Sequence, residues 1–159
     1  MNKELYLKNK ELNNKSNQLF DLINSLKKFL DNNESKFKNK ESIIALKTIK
    51  DYLITKEKEL DIVQNNYKNS YVELINTCNH EIAIKNINQY YCLICNRSLG
   101  KTVPKESIIS IDAKSDYLIH YMIIKILDNL IINDKDIIEP LTEELIKIQD
   151  EKDIKVYRR

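Results

Sequence analysis

The chain has 159 residues, 31% charged and 42% hydrophobic, a balance too apolar for wholesale disorder and too polar for a membrane-embedded protein. Its net charge of +2, from 26 basic and 24 acidic residues, gives no global attraction to nucleic acid or anionic lipid. One glycine and two prolines exclude a turn-rich β-sandwich or barrel and favour long helices.

Leu5, Leu12, Leu19 and Leu26 recur every seven residues, and Ile23 and Leu30 add a second row. This predicts an amphipathic helix over about residues 2–31. Asn9 and Ser16 fall where the seam wants apolar side chains, so its early turns are expected to be loose. Residues 31–40, DNNESKFKNK, form a polar break with Asn32 and Asn33 as stop residues, because asparagine tolerates a left-handed backbone. A second helix is expected from near Glu41. Its residues Leu46, Ile49, Leu53, Leu60, Val63, Tyr67 and Leu74 alternate three- and four-residue steps, with Lys56 and Ser70 as polar exceptions. That is coiled-coil periodicity. The short polar connection favours an antiparallel hairpin over pairing of each helix with a second chain.

Beyond Ile75 the pattern changes. Residues 76–103 hold all three cysteines and the glycine. Ile108, Ile109 and Ile111 predict a short strand. Ser115 is a candidate N-cap for a helix through about Ile132, ended by Asn133 and Asp134, with Leu118, Ile119, Met122, Ile123, Ile126, Leu127 and Leu130 facing inward. Pro140 suits the first turn of a last helix, striped by Leu141, Leu145 and Ile148. The tail, residues 155–159, carries no assignable pattern. The expectation is a mainly α fold: a long coiled-coil-like helical hairpin (residues 1–76), a small zinc-bound β-hairpin unit (77–103) and a C-terminal helical pair (104–159).

The chemistry lies in Cys78-x-His80, eleven intervening residues, then Cys92-x-x-Cys95. Two thiols separated by two residues turn back on one ion, because the knuckle between them points both sulfurs inward. Cys78 and His80 do the same on a second knuckle. Four such ligands make a tetrahedral zinc site, and residues 81–91 suit a hairpin joining the knuckles. The pattern resembles the zinc ribbons and related zinc knuckles, over residues 76–103 only. The resemblance implies one structural Zn²⁺ and no particular function.

Four protein ligands close the ion to substrate. The nucleobase deaminase signature is broken, since Ile82 occupies the position of its glutamate and Tyr91 that of its proline. One glycine cannot build a phosphate loop. His120, among Tyr117, Tyr121 and Ile123, reads as a packed core histidine, and Glu143 and Glu144 are adjacent and diverge on a helix. The expectation is a non-enzyme.

Three thiolates and a neutral imidazole give the zinc complex a net charge near −1, which Lys85, Arg97 and Lys101 are placed in sequence to balance. Residues 1–56 carry 12 basic and 7 acidic side chains, a net of +5, whereas residues 107–159 carry 8 and 11, a net of −3. The function expected is a zinc-binding interaction or scaffold protein holding a protein partner, or a second copy, through its helices. The alternative is a nucleic-acid-binding accessory factor, with Lys85, Arg97, Lys101 and Lys105 on phosphates and Tyr90 or Tyr91 stacked on a base. No small-molecule substrate is expected and no membrane: the most apolar stretch, residues 117–132, is broken by His120, Lys125 and Asp128. The opening MNKELYLKNK lacks a signal-peptide core, and clustered cysteines suit a reducing compartment. The expected location is the cytoplasm, or a host cytoplasm or virion for a viral gene.

Overall fold

In the computed structural model, which describes residues 2–113, 116–133 and 136–159, the fold is mainly α. Two compact units are present, Glu4–Glu73 and one built on Leu74–Arg159.

The first unit holds α1 (Lys3–Asn33) and nearly all of α2 (Lys40–Thr77). Side chains withdrawn from solvent in α1 fall at 5, 9, 12, 16, 19, 23, 26 and 30, and in α2 at 46, 49, 53, 56, 60, 63, 67, 70 and 74. These alternating steps of four and three keep one stripe of each helix turned inward. The two helices run antiparallel. Asn9 Nδ2 donates to the Tyr67 carbonyl at 3.5 Å, and Lys15 pairs with Glu59 (3.1 Å), Lys27 with Glu57 (2.7 Å) and Lys50 with Glu34.

Asn9 and Ser16 do not loosen the start of α1. Both are buried, at 8% and 9% exposure, and the helix is continuous from Lys3. A short polar side chain that bonds a facing carbonyl removes the penalty of burying it. The break between the helices also differs from expectation. Asn33 has φ −128° and is not left-handed; the chain continues through a single 3₁₀ turn, Glu34–Lys36. The restart is sharp: Asn39 Oδ1 accepts from the Ser42 N–H (2.8 Å), and Ser42 Oγ from the Asn39 N–H (3.1 Å). This reciprocal pair satisfies two amides that a helix start leaves open.

The second unit is a five-stranded sheet of order β3-β2-β1-β4-β5 with two helices. Its strands are β1 (Ile82–Asn86), β2 (Gln89–Cys92), β3 (Ser98–Gly100), β4 (Ile109–Asp112) and β5 (Lys155–Arg158). β1 pairs antiparallel with β2 and parallel with β4, Ile82 beside Ile109 and Ile84 beside Ile111. Consecutive residues Ile82, Ala83 and Ile84 are buried, as are Ile109, Ser110 and Ile111. Successive side chains point to opposite faces, so both faces of these central strands are covered. Helices α3 (Tyr117–Asn133) and α4 (Ile138–Lys152) supply Ile123, Leu127, Leu141 and Leu145, all at 0% exposure.

The predicted strand at Ile108, Ile109 and Ile111 is β4. The unassigned tail is β5, pairing antiparallel with β4. On α3, Ile123 and Leu127 are buried and Ile119, Met122, Ile126 and Leu130 are half-buried, as expected, but Leu118 is 74% exposed and Ile131 is buried as well. The cap expected at Ser115 and the stop at Asp134 lie outside the described residues. Asp116 Oδ1 accepts from the Leu118 and Ile119 amides at 2.8 and 3.3 Å. Among the described residues no helix is long and apolar enough to cross a membrane.

The β1–β2 turn carries a local strain. Ile87 sits at φ 55° with 71% of its surface exposed, a backbone region that β-branched residues avoid. Replacing Ile87 with glycine is expected to raise stability by about 1 kcal/mol, because the left-handed penalty disappears and little packing is lost. Denaturant unfolding of the I87G variant measures this, and a fall in midpoint would contradict it.

Candidate metal centre

Cys78 follows the last turn of α2 directly, and His80 lies two residues on, before β1. The His80 backbone is left-handed, φ 56°. That turn brings its imidazole back beside Cys78, and three hydrogen bonds hold it. Ser107, buried at 2% exposure, donates its hydroxyl to the His80 carbonyl at 3.0 Å, and the Glu81 carbonyl accepts from the Ile108 and Ile109 amides. Ser107 was not singled out from sequence. It comes from a loop 27 residues away, with no motif to mark it.

The second knuckle closes on itself. The Asn96 N–H donates to the Cys92 carbonyl (2.8 Å), and the Cys92 N–H to the Arg97 carbonyl (2.9 Å). Asn96 takes φ 56°, a conformation asparagine tolerates better than most residues. The turn behind Cys95 is thus made at Asn96.

The four predicted ligands come together. One donor atom from each of Cys78, His80, Cys92 and Cys95 lies within 4.8 Å of every other. Cys78 Sγ and Cys92 Sγ are 3.5 Å apart, and Cys95 Sγ and His80 Nδ1 are also 3.5 Å apart. Donors around a tetrahedral ion, with metal–sulfur bonds of ~2.3 Å and metal–nitrogen bonds of ~2.0 Å, are spaced by about 3.5–3.8 Å. The cluster has the size of a coordination shell.

The electrostatics agree. Hydrogen bonding from Cys92, then Cys95, holds the Cys78 thiol far below the usual thiol range. The same contacts push Cys92 and Cys95 up, Cys78 being the largest cause for each. Three sulfurs this close cannot all carry charge without a cation among them. Backbone amides are aimed to help: Cys78 accepts from the His80 N–H, Cys92 from that of Cys95, and Cys95 from that of Arg97. The donor set and its supports fit a thiophilic metal ion.

The side chains expected to balance this charge, or to meet phosphates, are placed differently. Lys85 lies within β1, and its ammonium is 2.9 Å from Asp112 Oδ2 on the parallel neighbour β4. That bond raises the Lys85 pKa. Its charge is thus already matched by a carboxylate. Arg97 and Lys101 are exposed beside β3. Of the two tyrosines considered for stacking, Tyr90 is buried at 6% exposure, and Tyr91 donates its hydroxyl to Gln89 Oε1 at 3.1 Å.

His120 lies on α3 beside a cleft of about 450 Å³ whose walls include Tyr91, Leu93, Asn96 and Ile124. Its Nε2 is buried with no hydrogen-bond partner. Burial lowers its pKa, opposed by Asp116 and by the Lys85 backbone, so the imidazole is neutral near pH 7.

No protein-family model matches this chain, and neither do any curated protein or solved structure.

Proposed function

We propose that this chain is a non-enzymatic interaction protein, stabilised by one structural zinc ion, that engages a protein partner or a second copy through its helices. The observation that carries the reading is the saturated donor set, with Cys78, His80, Cys92 and Cys95 mutually within 4.8 Å. Three sulfurs and one imidazole nitrogen suit zinc, and a four-donor shell leaves no position for a substrate or an activated water. When bound, the ion supplies cross-linking between the two knuckles and charge for the thiolates. The chain's own residues supply the rest. Ser107 fixes the His80 loop, and Asn96 fixes the turn behind Cys95.

The partner surface is assigned to the hairpin because large apolar side chains remain exposed there. Leu22 is 37% exposed, Phe29 43% and Tyr52 46%. The competing reading, nucleic-acid binding through Lys85, Arg97 and Lys101, is weakened by the pairing of Lys85 with Asp112 and the burial of Tyr90.

Protein purified under reducing conditions is expected to carry about one zinc per chain. Its cobalt-substituted form is expected to show the ligand-field and thiolate charge-transfer bands of a tetrahedral, sulfur-rich site. Metal analysis returning no zinc would remove the first half of the proposal. Binding to DNA or RNA that weakens steeply with salt would replace the second half with the nucleic-acid reading.

A further inference from the structure

The hairpin has two flanks of different chemistry. Label the withdrawn positions of each helix a and d, so that Leu19, Leu26, Ile49 and Lys56 are d, and Ile23, Leu30, Leu46 and Leu53 are a. In an antiparallel pair the g positions of the two helices then border one side of the seam and the e positions the other. The ion pairs match this frame: Lys15–Glu59 joins g to g, and Lys27–Glu57 and Glu34–Lys50 join e to e.

Two charge-paired links therefore close the e flank near the hairpin's turn. On the g flank and the c positions beside it, residues 18–32 of α1 and 45–55 of α2 hold no charged side chain; the one charge nearer the turn on these positions of α2 is Glu41, in its first turn. In a chain 31% charged this is a marked gap. Leu22, Phe29 and Tyr52 lie on this strip, exposed by 37%, 43% and 46%.

The serine and threonine hydroxyls on the strip are already satisfied. Ser25 Oγ donates to the Asp21 carbonyl (2.9 Å), Thr48 Oγ1 to that of Ile44 (3.1 Å) and Thr55 Oγ1 to that of Asp51 (2.9 Å). Each donor bonds its own helix one turn back, so covering it strands no donor. The Lys56 ammonium, 5.4 Å from the Tyr52 ring centroid, is paired with Glu59 at 2.8 Å.

We infer that this uncharged g flank is a self-association surface, on which two hairpins pack about a two-fold axis into a four-helix arrangement. The inference rests on the helix-mediated reading above and specifies its site and occupant. A two-fold axis sets a surface against itself, so any charge near the axis meets its like, and an uncharged strip avoids that repulsion. The rim meets the complementary requirement. The f positions bordering the strip are Asp21 and Lys28 on α1 and Asp51 and Lys58 on α2, so each helix offers both signs to the other copy. Phe29 and Tyr52 each present roughly 100 Å² of ring-bearing surface, about half of what such side chains can bury. The rest of a standard interface of ~800 Å² per partner would come from the flanking small residues and the charged rim.

Sedimentation equilibrium and light scattering on the full zinc-loaded chain test this. The wild type is expected to be dimeric at about 100 μM, while Phe29→Glu and Tyr52→Glu, both at exposed positions, weaken association by about 100-fold or more. Ser25→Lys, which adds a charge and removes only the Ser25 hydroxyl's bond to the Asp21 carbonyl within α1, is expected to do the same. Phe20→Glu, at an e position, is expected to change the dissociation constant by no more than about 3-fold. Zinc content and circular dichroism of every variant should match the wild type. A zinc-loaded chain that stays monomeric overturns the inference and leaves the strip to another protein's helix, with the proposed function standing. A dimer insensitive to Phe29, Tyr52 and Ser25 places self-association elsewhere and overturns it equally. Loss of zinc from the wild type is a failure of the metal reading and would show independently of mass.

Discussion

Replacing Cys92 with serine is expected to abolish metal binding and to cost most of the stability of the sheet unit. Cys92 is 1% exposed at the end of β2, its amide and carbonyl both committed to the second knuckle. A serine hydroxyl is a poor ligand for a thiophilic ion, and the remaining three donors would leave an open shell. Apparent binding free energies of structural zinc are of order 10–16 kcal/mol, and they become folding free energy where the apo site is not preformed. Even half of that is comparable with the ~5–15 kcal/mol by which typical domains are stable.

The loss should be local. α1 and α2 span 31 and 38 residues and carry none of the ligands except by leading into Cys78. Helical circular dichroism should therefore survive largely intact, while amide protection collapses over residues 78–100. Chelation of the wild type should reproduce the pattern. A Cys92→Ser protein that kept one zinc per chain and full protection of β1 and β2 would show that the four donors do not act as one shell. Acid should act in the same direction, because protons compete with the metal for the thiolates and imidazole.

What was legible in the sequence follows the range of the interactions involved. The stripe from Leu46 to Leu74 was readable because a helix repeats its inward face every three or four residues, whatever it packs against. Cys78, His80, Cys92 and Cys95 were readable because each knuckle is local and its residue types are rare in this chain. The parallel pairing of β1 with β4 was not, since Ile82 and Ile109 meet across two strands and a loop and nothing in either segment encodes the partner. Ser107 was invisible for the same reason. Leu118 and Ile131 were misplaced because α3 is apolar nearly all round, so periodicity could not say which side met the sheet. Asn9 and Ser16 read as weak points in the sequence because composition alone does not show that Asn9 reaches a carbonyl on the facing helix.

Removing the tail after Asp153 is expected to have the second-largest effect, although it deletes only six residues and no ligand. Asp153 ends α4 in the left-handed conformation, φ 54°, with its own amide and that of Ile154 both donating to the Gln149 carbonyl. This reversal drops Ile154, 4% exposed, into the core and launches β5 along β4, with Val156 beside Ile111 and Arg158 beside Ile109. Beyond the strand, the Arg159 N–H donates to the Ile108 carbonyl at 3.0 Å and its guanidinium to the Lys105 carbonyl at 2.7 Å. Burying Ile154 contributes about 2 kcal/mol and each ladder bond a net of about 1, so truncation should cost at least ~3 kcal/mol. The strand uncovered is β4, whose Ile109, Ser110 and Ile111 would then form an open apolar edge, a template for pairing with other chains. The truncated protein should therefore unfold at lower denaturant and aggregate on mild heating, with zinc still bound at low temperature. Arg158→Ala separates the strand from its ion pair. The Arg158–Glu139 pair lies at the surface, its side chains about half exposed, so its loss should scarcely move the unfolding midpoint. If Arg158→Ala destabilised as much as the truncation, the tail would act through that charge pair and not as the fifth strand of the sheet.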